Sequence, residues 1–374
     1  MDIKTPAYIF DITTLVNRVK FIKSKLPNIR LSYAMKANPY LVEYLIDYVD
    51  SFEVCSPGEY QICKAVNVPK YKIVLSGVYK EAQDIENIIS ECGDKPVYTV
   101  ESLTQLKLLD SLARKFNLKL NVYLRLSSGN QFGMDEDTIS SIILNKDSYS
   151  LYFIGLQSYT GTQKKDDQIQ KELAYIKSFQ DSLGFNFKEF EYGPGLKVNY
   201  FTNEPKIDED AQLDSLYTAL KPFDNQSIQL EMGRYIAFSC GEYHTSIADI
   251  KTTKGVNFII IDGGINHLNY FGQTMAMKPP FIKQEKDSGK LDNYTICGAL
   301  CTVADVIIRN YPLYNPQIGD KLVFLNVGAY SITEGIYLFL SRTMPQVFIK
   351  TLDGSIILAR KPFDSYKLNY NGGV

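Results

Sequence analysis

The chain is poor in the features that would direct it to nucleic acid, membrane or metal. Its formal charge is only −2 over 374 residues and its basic residues form no clusters, which argues against nucleic acid or an anionic membrane as main partner and favours a small molecule. No apolar run approaches the ~20 residues that span a bilayer, and the opening MDIKTPAYIFD lacks a charged-then-apolar leader pattern. A cytoplasmic protein is expected. Histidine is nearly absent, with only His244 and His267, and the six cysteines (Cys55, Cys63, Cys92, Cys240, Cys297 and Cys301) include no CxxC pair. Neither a zinc site nor a disulfide framework is supported. Cys55, Cys63 and Cys240 lie in apolar contexts and read as core thiols. No internal repeat or low-complexity tract is seen.

What is present is alternation. After a strand at 7–10 and a helix at about 13–26, β-rich runs at 31–35, 52–55, 72–75, 97–100, 118–126, 151–156, 188–191 and 228–231 alternate with helical patterns. Ser56, Pro57 and Glu59 form a capping-box pattern, as do Ser102 and Gln105 ahead of the stripe Leu103, Leu106, Leu109, Ala113. Eight strands, each leading to a capped helix, imply an α/β fold with a closed (β/α)8 TIM-type barrel, the open doubly wound sheet being the alternative. From about Thr245 the alternation stops. Strand-like runs at 246–251, 258–262, 294–296, 321–327, 346–349 and 355–359 follow one another, so a C-terminal all-β domain is expected, with a mobile loop at 272–290. The expected division is 1–25, partly joining the β domain, then 26–243 for the barrel and 244–374 for the β domain.

The chemistry is sought at the strand ends, where barrels build their sites. Lys36 in YAMKANP closes an apolar strand, and a lysine among apolar neighbours can act as a Schiff-base nucleophile, although a lone lysine there is ordinarily solvated. The other ends carry Glu53 in FEVCSPGE, Arg125 in LRLS, the polar stretch GLQSYTGTQ, the turn EYGPGL and EMGR with Glu231 and Arg234. Each has a plain structural reading: ion pairs for Glu53 and Arg125, a tight turn for GPGL, a solvated loop for EMGR. Together, a lysine, a carboxylate and a set of glycine amides, hydroxyl and guanidinium suited to a phosphate dianion point to pyridoxal phosphate.

YAMKANP, FEVCSPGE, FGM at 132–134, GLQSYTGTQ, EYGPGL, EMGRYIAFSCG, IDGG at 261–264, CGALCTVADV and GAY at 328–330 occur in the order seen in a known family. The chain resembles the alanine-racemase-fold (fold-type III) decarboxylases that use pyridoxal 5′-phosphate, the ornithine and diaminopimelate decarboxylase superfamily. The resemblance makes Lys36 the internal aldimine lysine and gives Glu231 the ring nitrogen. It places Arg234, Thr162, Gly195 and Tyr330 at the phosphate, with Glu53, Arg125 and Gly193 also around the cofactor. Cys301 becomes the residue one subunit delivers to another's site, implying a homodimer with shared active sites. A free thiol, with its ordinary pKa near ~8.5, keeps its proton at neutral pH, so Cys301 suits protonation of Cα; a core thiol is its plain reading.

Departures narrow the substrate. Tyr159 stands where many relatives stack histidine, and Thr302 follows Cys301 where the ornithine and diaminopimelate enzymes have Asp or Glu for a distal ammonium. The loop INHLNYFGQ, with Asn266 and His267, lacks the arginine that fixes a distal carboxylate. The chain is more similar to the subgroup from antibiotic, siderophore and exopolysaccharide pathways, some of whose members act on carrier-linked or modified amino acids. Thr302, Asn266 and His267 are the substrate-facing candidates. A decarboxylase is expected, with a racemase or a non-catalytic pyridoxal phosphate-binding protein as alternatives. Anionic Glu231 disfavours the racemase, and the long β segment with Cys301 disfavours the binding protein.

Overall fold

The computed structural model describes residues 3–286 and 288–372; Asp287, within the loop expected to be mobile, lies outside them. The chain forms two compact units. The barrel unit comprises Arg18–Lys197 and Ile207–Tyr235; the β unit comprises the residues up to Asn17, Val198–Lys206 and the chain from Ile236 onward.

The first strand, β1 (Ala7–Asp11), is followed by helix α1 (Ile12–Lys25). The barrel strands are β2 (Arg30–Ala34), β3 (Ser51–Val54), β4 (Ile73–Leu75), β5 (Val97–Val100), β6 (Leu120–Arg125), β7 (Leu151–Tyr159), β8 (Glu189–Gly193) and β9 (Ser227–Met232). Neighbours are parallel throughout, and β9 pairs back onto β2, with Leu31 opposite Leu230 and Tyr33 opposite Met232. That pairing closes the ring and excludes the open sheet. Strands covered on both faces must be apolar nearly throughout, and β3 and β4 are buried at every position. The helices between them are α2 (Val42–Leu45), α3 (Pro57–Ala65), α4 (Ala82–Cys92), α5 (Leu103–Lys115), α6 (Glu136–Leu144), α7 (Asp166–Ser182) and α8 (Glu209–Leu220), with the single turn α9 (Arg234–Ala237) after β9.

Two expected caps form, with a consequence for the site. Ser56 accepts from the Glu59 amide and Ser102 from the Gln105 amide, but each third helical side chain reaches back one residue before the cap. Glu59 accepts from the Cys55 amide at 2.6 Å, and Gln105 from the Glu101 amide at 3.0 Å. The caps thus pin the residues that close β3 and β5. One expectation is revised: the strand before Lys36 ends at Ala34, and the helix after it is broken into 3-10 turns at Met35–Ala37 and Pro39–Leu41 before α2. Asn38, extended between the two turns, caps the second by accepting from the Tyr40 amide.

In the β unit a nine-stranded sheet is built from β1, β10 (Gly241–Thr253), β11 (Val256–Ile261), β12 (Ile282–Gln284), β13 (Leu291–Cys297), β14 (Val306–Tyr314), β15 (Lys321–Leu325), β16 (Gln346–Lys350) and β17 (Ile356–Arg360). Strand β1 lies between β10 and β16. Two strands absent from the sequence reading are β12, inside the loop expected to be mobile, and β14. Pro312 weakens the strand signal of β14; an edge position accommodates it.

Candidate active site

Lys36 sits in the 3-10 turn directly after β2, at the C-terminal rim of the barrel. Its Nζ lies 2.7 Å from Glu53 Oε2, 3.4 Å from Glu231 Oε1 and 3.9 Å from Cys55 Sγ, with the Tyr159 ring centroid at 5.9 Å. The amine is about one-third exposed, whereas both carboxyls are buried. Burial disfavours charge on both acids, but at Glu53 the Lys36 ammonium and hydrogen bonds from Glu231, Lys36 and Cys55 win and hold it ionised. At Glu231 burial and the neighbouring Glu53 charge outweigh Lys36 and push the carboxyl well up. One amine therefore faces one carboxylate and one carboxylic acid. Burial also pushes the Cys55 thiol up, so it stays protonated beside the amine.

Opposite lies an anion-shaped corner. Arg234 Nε donates to Thr162 Oγ1 at 3.2 Å, and the segment that carries Thr162 lies against the turn after β8, where the Lys164 amide donates to the Gly195 carbonyl. A Cβ on Gly193 would fall 2.4 Å from the Tyr159 ring, and one on Gly195, whose φ is +57°, would fall 2.1 Å from the Gly161 carbonyl. Only glycine lets these backbones approach so closely. Arg125 pairs with Glu101 at 3.0 Å, with both side chains buried, and stacks 4.8 Å over Phe132 of FGM. Among the described residues its Nε has no partner, leaving a buried donor available to a ligand.

The remaining expected residues belong to the β unit. Cys301 is exposed, in a loop fixed where Asp305 accepts from the Leu300 amide at 2.7 Å and the Ile265 amide at 2.9 Å. Thr302 Oγ1 accepts from the Ala304 amide, and Asn266 carries a buried Oδ1 without a partner among the described residues. Tyr330 is half-buried at a left-handed φ of +66°. His267 has no ring nitrogen left for a substrate: Nδ1 meets Tyr243 OH at 3.0 Å and Nε2 meets the Thr343 carbonyl at 3.1 Å, while burial pulls its pKa down to about 4.

Several residues of the rim escaped the sequence reading. Glu101 directly precedes the Ser102 cap at a strand end, and that position was a usable signal. Lys80 donates to the Gly77 carbonyl, Thr99 and Gln105, and burial pulls its pKa down to about 8 against the Glu101 charge. Nothing local marks it as part of the rim.

The donor set fits pyridoxal 5′-phosphate. A reachable amine suits its aldehyde, a buried carboxyl its ring nitrogen, an aromatic face its ring, and Arg234, Thr162 and the glycine turn its phosphate. Known proteins agree. The chain is 27% identical, over 96% of its length and 91% of the other's, to L-glutamyl-(BtrI acyl-carrier protein) decarboxylase of Niallia circulans. It is 26% identical, over 92% and 94%, to 2-((L-alanin-3-ylcarbamoyl)methyl)-2-hydroxybutanedioate decarboxylase of Staphylococcus aureus. In fold it is similar to diaminopimelate decarboxylase of Helicobacter pylori solved with L-lysine, with a TM-score of 0.86 and 24% identity over 98% and 97% of the two chains. Residues 12–238, more than half of the chain, match the family described as pyridoxal-dependent decarboxylase, pyridoxal binding domain, and the chain belongs to that family of pyridoxal 5′-phosphate-dependent amino-acid decarboxylases.

Proposed function

We propose that the chain removes the α-carboxylate of an amino acid carrying a large attached group, with Lys36 anchoring the cofactor and Cys301 returning a proton to Cα. The observation that carries the reading is the Lys36 amine set between Glu53 and Glu231 at the rim of a closed barrel. When bound, pyridoxal 5′-phosphate supplies an aldehyde that amines attack and an electron-poor ring that takes up the electron pair left as carbon dioxide departs. Glu231, protonated beside Glu53, has a proton to share with a ring nitrogen, and its carboxylate then stabilises the positive charge. Arg234, Thr162 and the turn with Gly193 and Gly195 would hold the phosphate; Arg125 is oriented by Glu101 and Phe132, and its Nε would be free to donate. Tyr159 offers its ring face for stacking.

A conjugated substrate is supported from two sides. Thr302 offers no counter-charge to a distal ammonium and the Asn266 loop none to a distal carboxylate, while two similar proteins are named for an acyl-carrier-linked glutamyl group and for an alanine unit amide-linked to a hydroxybutanedioate. Asn266, with its unpartnered buried oxygen, and Thr302 are the residues assigned to the tail. A homodimer with shared sites follows if Cys301 serves a second copy. Val303 beside it is 97% exposed, an apolar side chain suited to burial in a partner.

The protein incubated with cofactor should absorb at roughly 400–430 nm, and Lys36→Ala should abolish both the band and carbon dioxide release. Release should be greatest with conjugates in a panel that also holds free ornithine, diaminopimelate and glutamate. Racemisation without gas would overturn the assignment. Mixing Lys36→Ala with Cys301→Ala subunits should restore part of the activity, and none should return if each site is built from one chain.

A further inference from the structure

Behind the phosphate corner the barrel buries a charge that none of the roles above uses. Lys164, only 6% exposed, lies between the Thr160–Thr162 segment and α7. Its Nζ has four oxygen neighbours: Glu172 Oε2 at 2.5 Å, Thr160 Oγ1 at 2.9 Å, the Gly193 carbonyl at 3.2 Å and Tyr192 OH at 3.3 Å. Glu172 completes the cluster by accepting from Thr160 at 2.6 Å and from Tyr192 at 2.7 Å. The backbone repeats the connection, because the Lys164 amide donates to the Gly195 carbonyl at 2.9 Å. The lysine stem also fills the space beside Gly195, where a Cβ would fall 2.9 Å from Lys164 Cε.

Such a cation is costly to bury: burial lowers its pKa, and the Glu172 hydrogen bond and charge recover part of the shift. An apolar residue would fill the same space without that cost, so packing alone does not explain it. What the ammonium does, and methylene groups could not, is tie the end of β7 to the turn after β8. Those are the two segments that carry Thr162 and Gly195. We propose that Lys164 is the positioning residue of the phosphate corner: clamped by Glu172, it holds the Thr160–Thr162 segment against the Gly193–Gly195 turn at the spacing a phosphate dianion requires.

The proposal rests on the assignment of this corner to phosphate, and three probes separate the two. Wild-type protein and Lys164→Met are titrated with pyridoxal 5′-phosphate, pyridoxal and inorganic phosphate, and Lys36 is checked for attachment by borohydride reduction and mass. Lys164→Met should weaken pyridoxal 5′-phosphate by about tenfold and inorganic phosphate comparably, with pyridoxal changed less than about twofold. Equal losses for pyridoxal and its phosphate, or no loss in a folded variant, would overturn the role of Lys164. Wild-type protein that binds the two aldehydes equally and ignores phosphate would instead overturn the phosphate corner. Should Lys164→Met fail to fold, Lys164→Met/Glu172→Gln removes the ion pair as a whole while keeping an acceptor for Thr160 and Tyr192. The same phosphate-selective loss is expected of it.

Discussion

The two sides of the barrel rim handle charge differently. Around Arg125 and Lys164 each buried cation has its own acid, Glu101 and Glu172; the first pair crosses from one strand end to the next and the second ties the turn after β7 to α7. Around Lys36 one amine faces two acids, which therefore compete for it, and one is left holding a proton. One-to-one pairing fixes loops. Two-to-one pairing leaves a group whose charge is completed only by something else, which is what a site for a charged heterocycle needs.

The sharpest way to break this contrast is to unbalance a matched pair. Glu101→Ala leaves the Arg125 guanidinium buried without its carboxylate, and the expected loss is about 3–5 kcal/mol of folding stability, read from the urea midpoint. Cofactor affinity should fall as well, because only Phe132 would still orient the arginine. A loss under about 1 kcal/mol would mean that solvent reaches the guanidinium and that the pair is not the lock its burial implies.

On the unmatched side the same kind of change should leave the fold intact and cost function. Glu231→Gln replaces a carboxyl that is already protonated without ligand, so the cofactor-free protein should melt at about the wild-type temperature. Carbon dioxide release should fall by about 10²–10³-fold, since an amide cannot keep a ring nitrogen charged. Thermal melts and single-turnover rates check the two halves. A strongly destabilised Glu231→Gln, or one with near-normal turnover, would erase the distinction between the two sides of the rim.

How much of this was legible follows the same line. Lys36, Glu53, Glu231 and Arg234 could be found because each closes or follows a short apolar run, so position along the chain already says rim. The (β/α)8 class was legible for the same reason: eight strands, each leading to a helix, leave few arrangements. The pairings on the matched side were not. Glu101 and Arg125 are 24 residues apart and meet because β5 and β6 lie side by side, while Lys164 and Glu172 meet through the turn into α7. Neither pairing leaves a periodic trace. The β unit also gathers residues 198–206 from between barrel elements, where the Thr202 amide donates to the Pro279 carbonyl, a contact no local pattern announces.

A third kind of buried ionisable group has no charged partner within hydrogen-bond reach among the described residues, and here the barrel and the β unit should differ in sign. Glu191, inside the barrel, is pushed up to about 7 by burial, although Gln229 at 2.8 Å and Gln157 at 2.9 Å donate to it. Folded protein keeps a proton that the unfolded chain releases near pH ~4.3, so stability is full below that pH, falls as pH rises to about 7 and then levels off. His267, inside the β unit, is held neutral down to about 4, so its contribution is full above the unfolded value of ~6.5 and is lost as pH falls toward about 4. Each is worth at most ~3.5 kcal/mol, and between about pH 4.5 and 6.5 the two slopes oppose each other. Glu191→Gln keeps the shape of the site but removes the titration. Melting temperatures across pH 4–8 should then show the acid-side loss due to His267 alone, and His267→Gln should show the alkaline-side loss due to Glu191. If the Glu191→Gln and wild-type curves run parallel across this range, the barrel interior holds its third carboxyl charged, and the Glu53–Glu231 pair sits above an anion rather than a neutral acid.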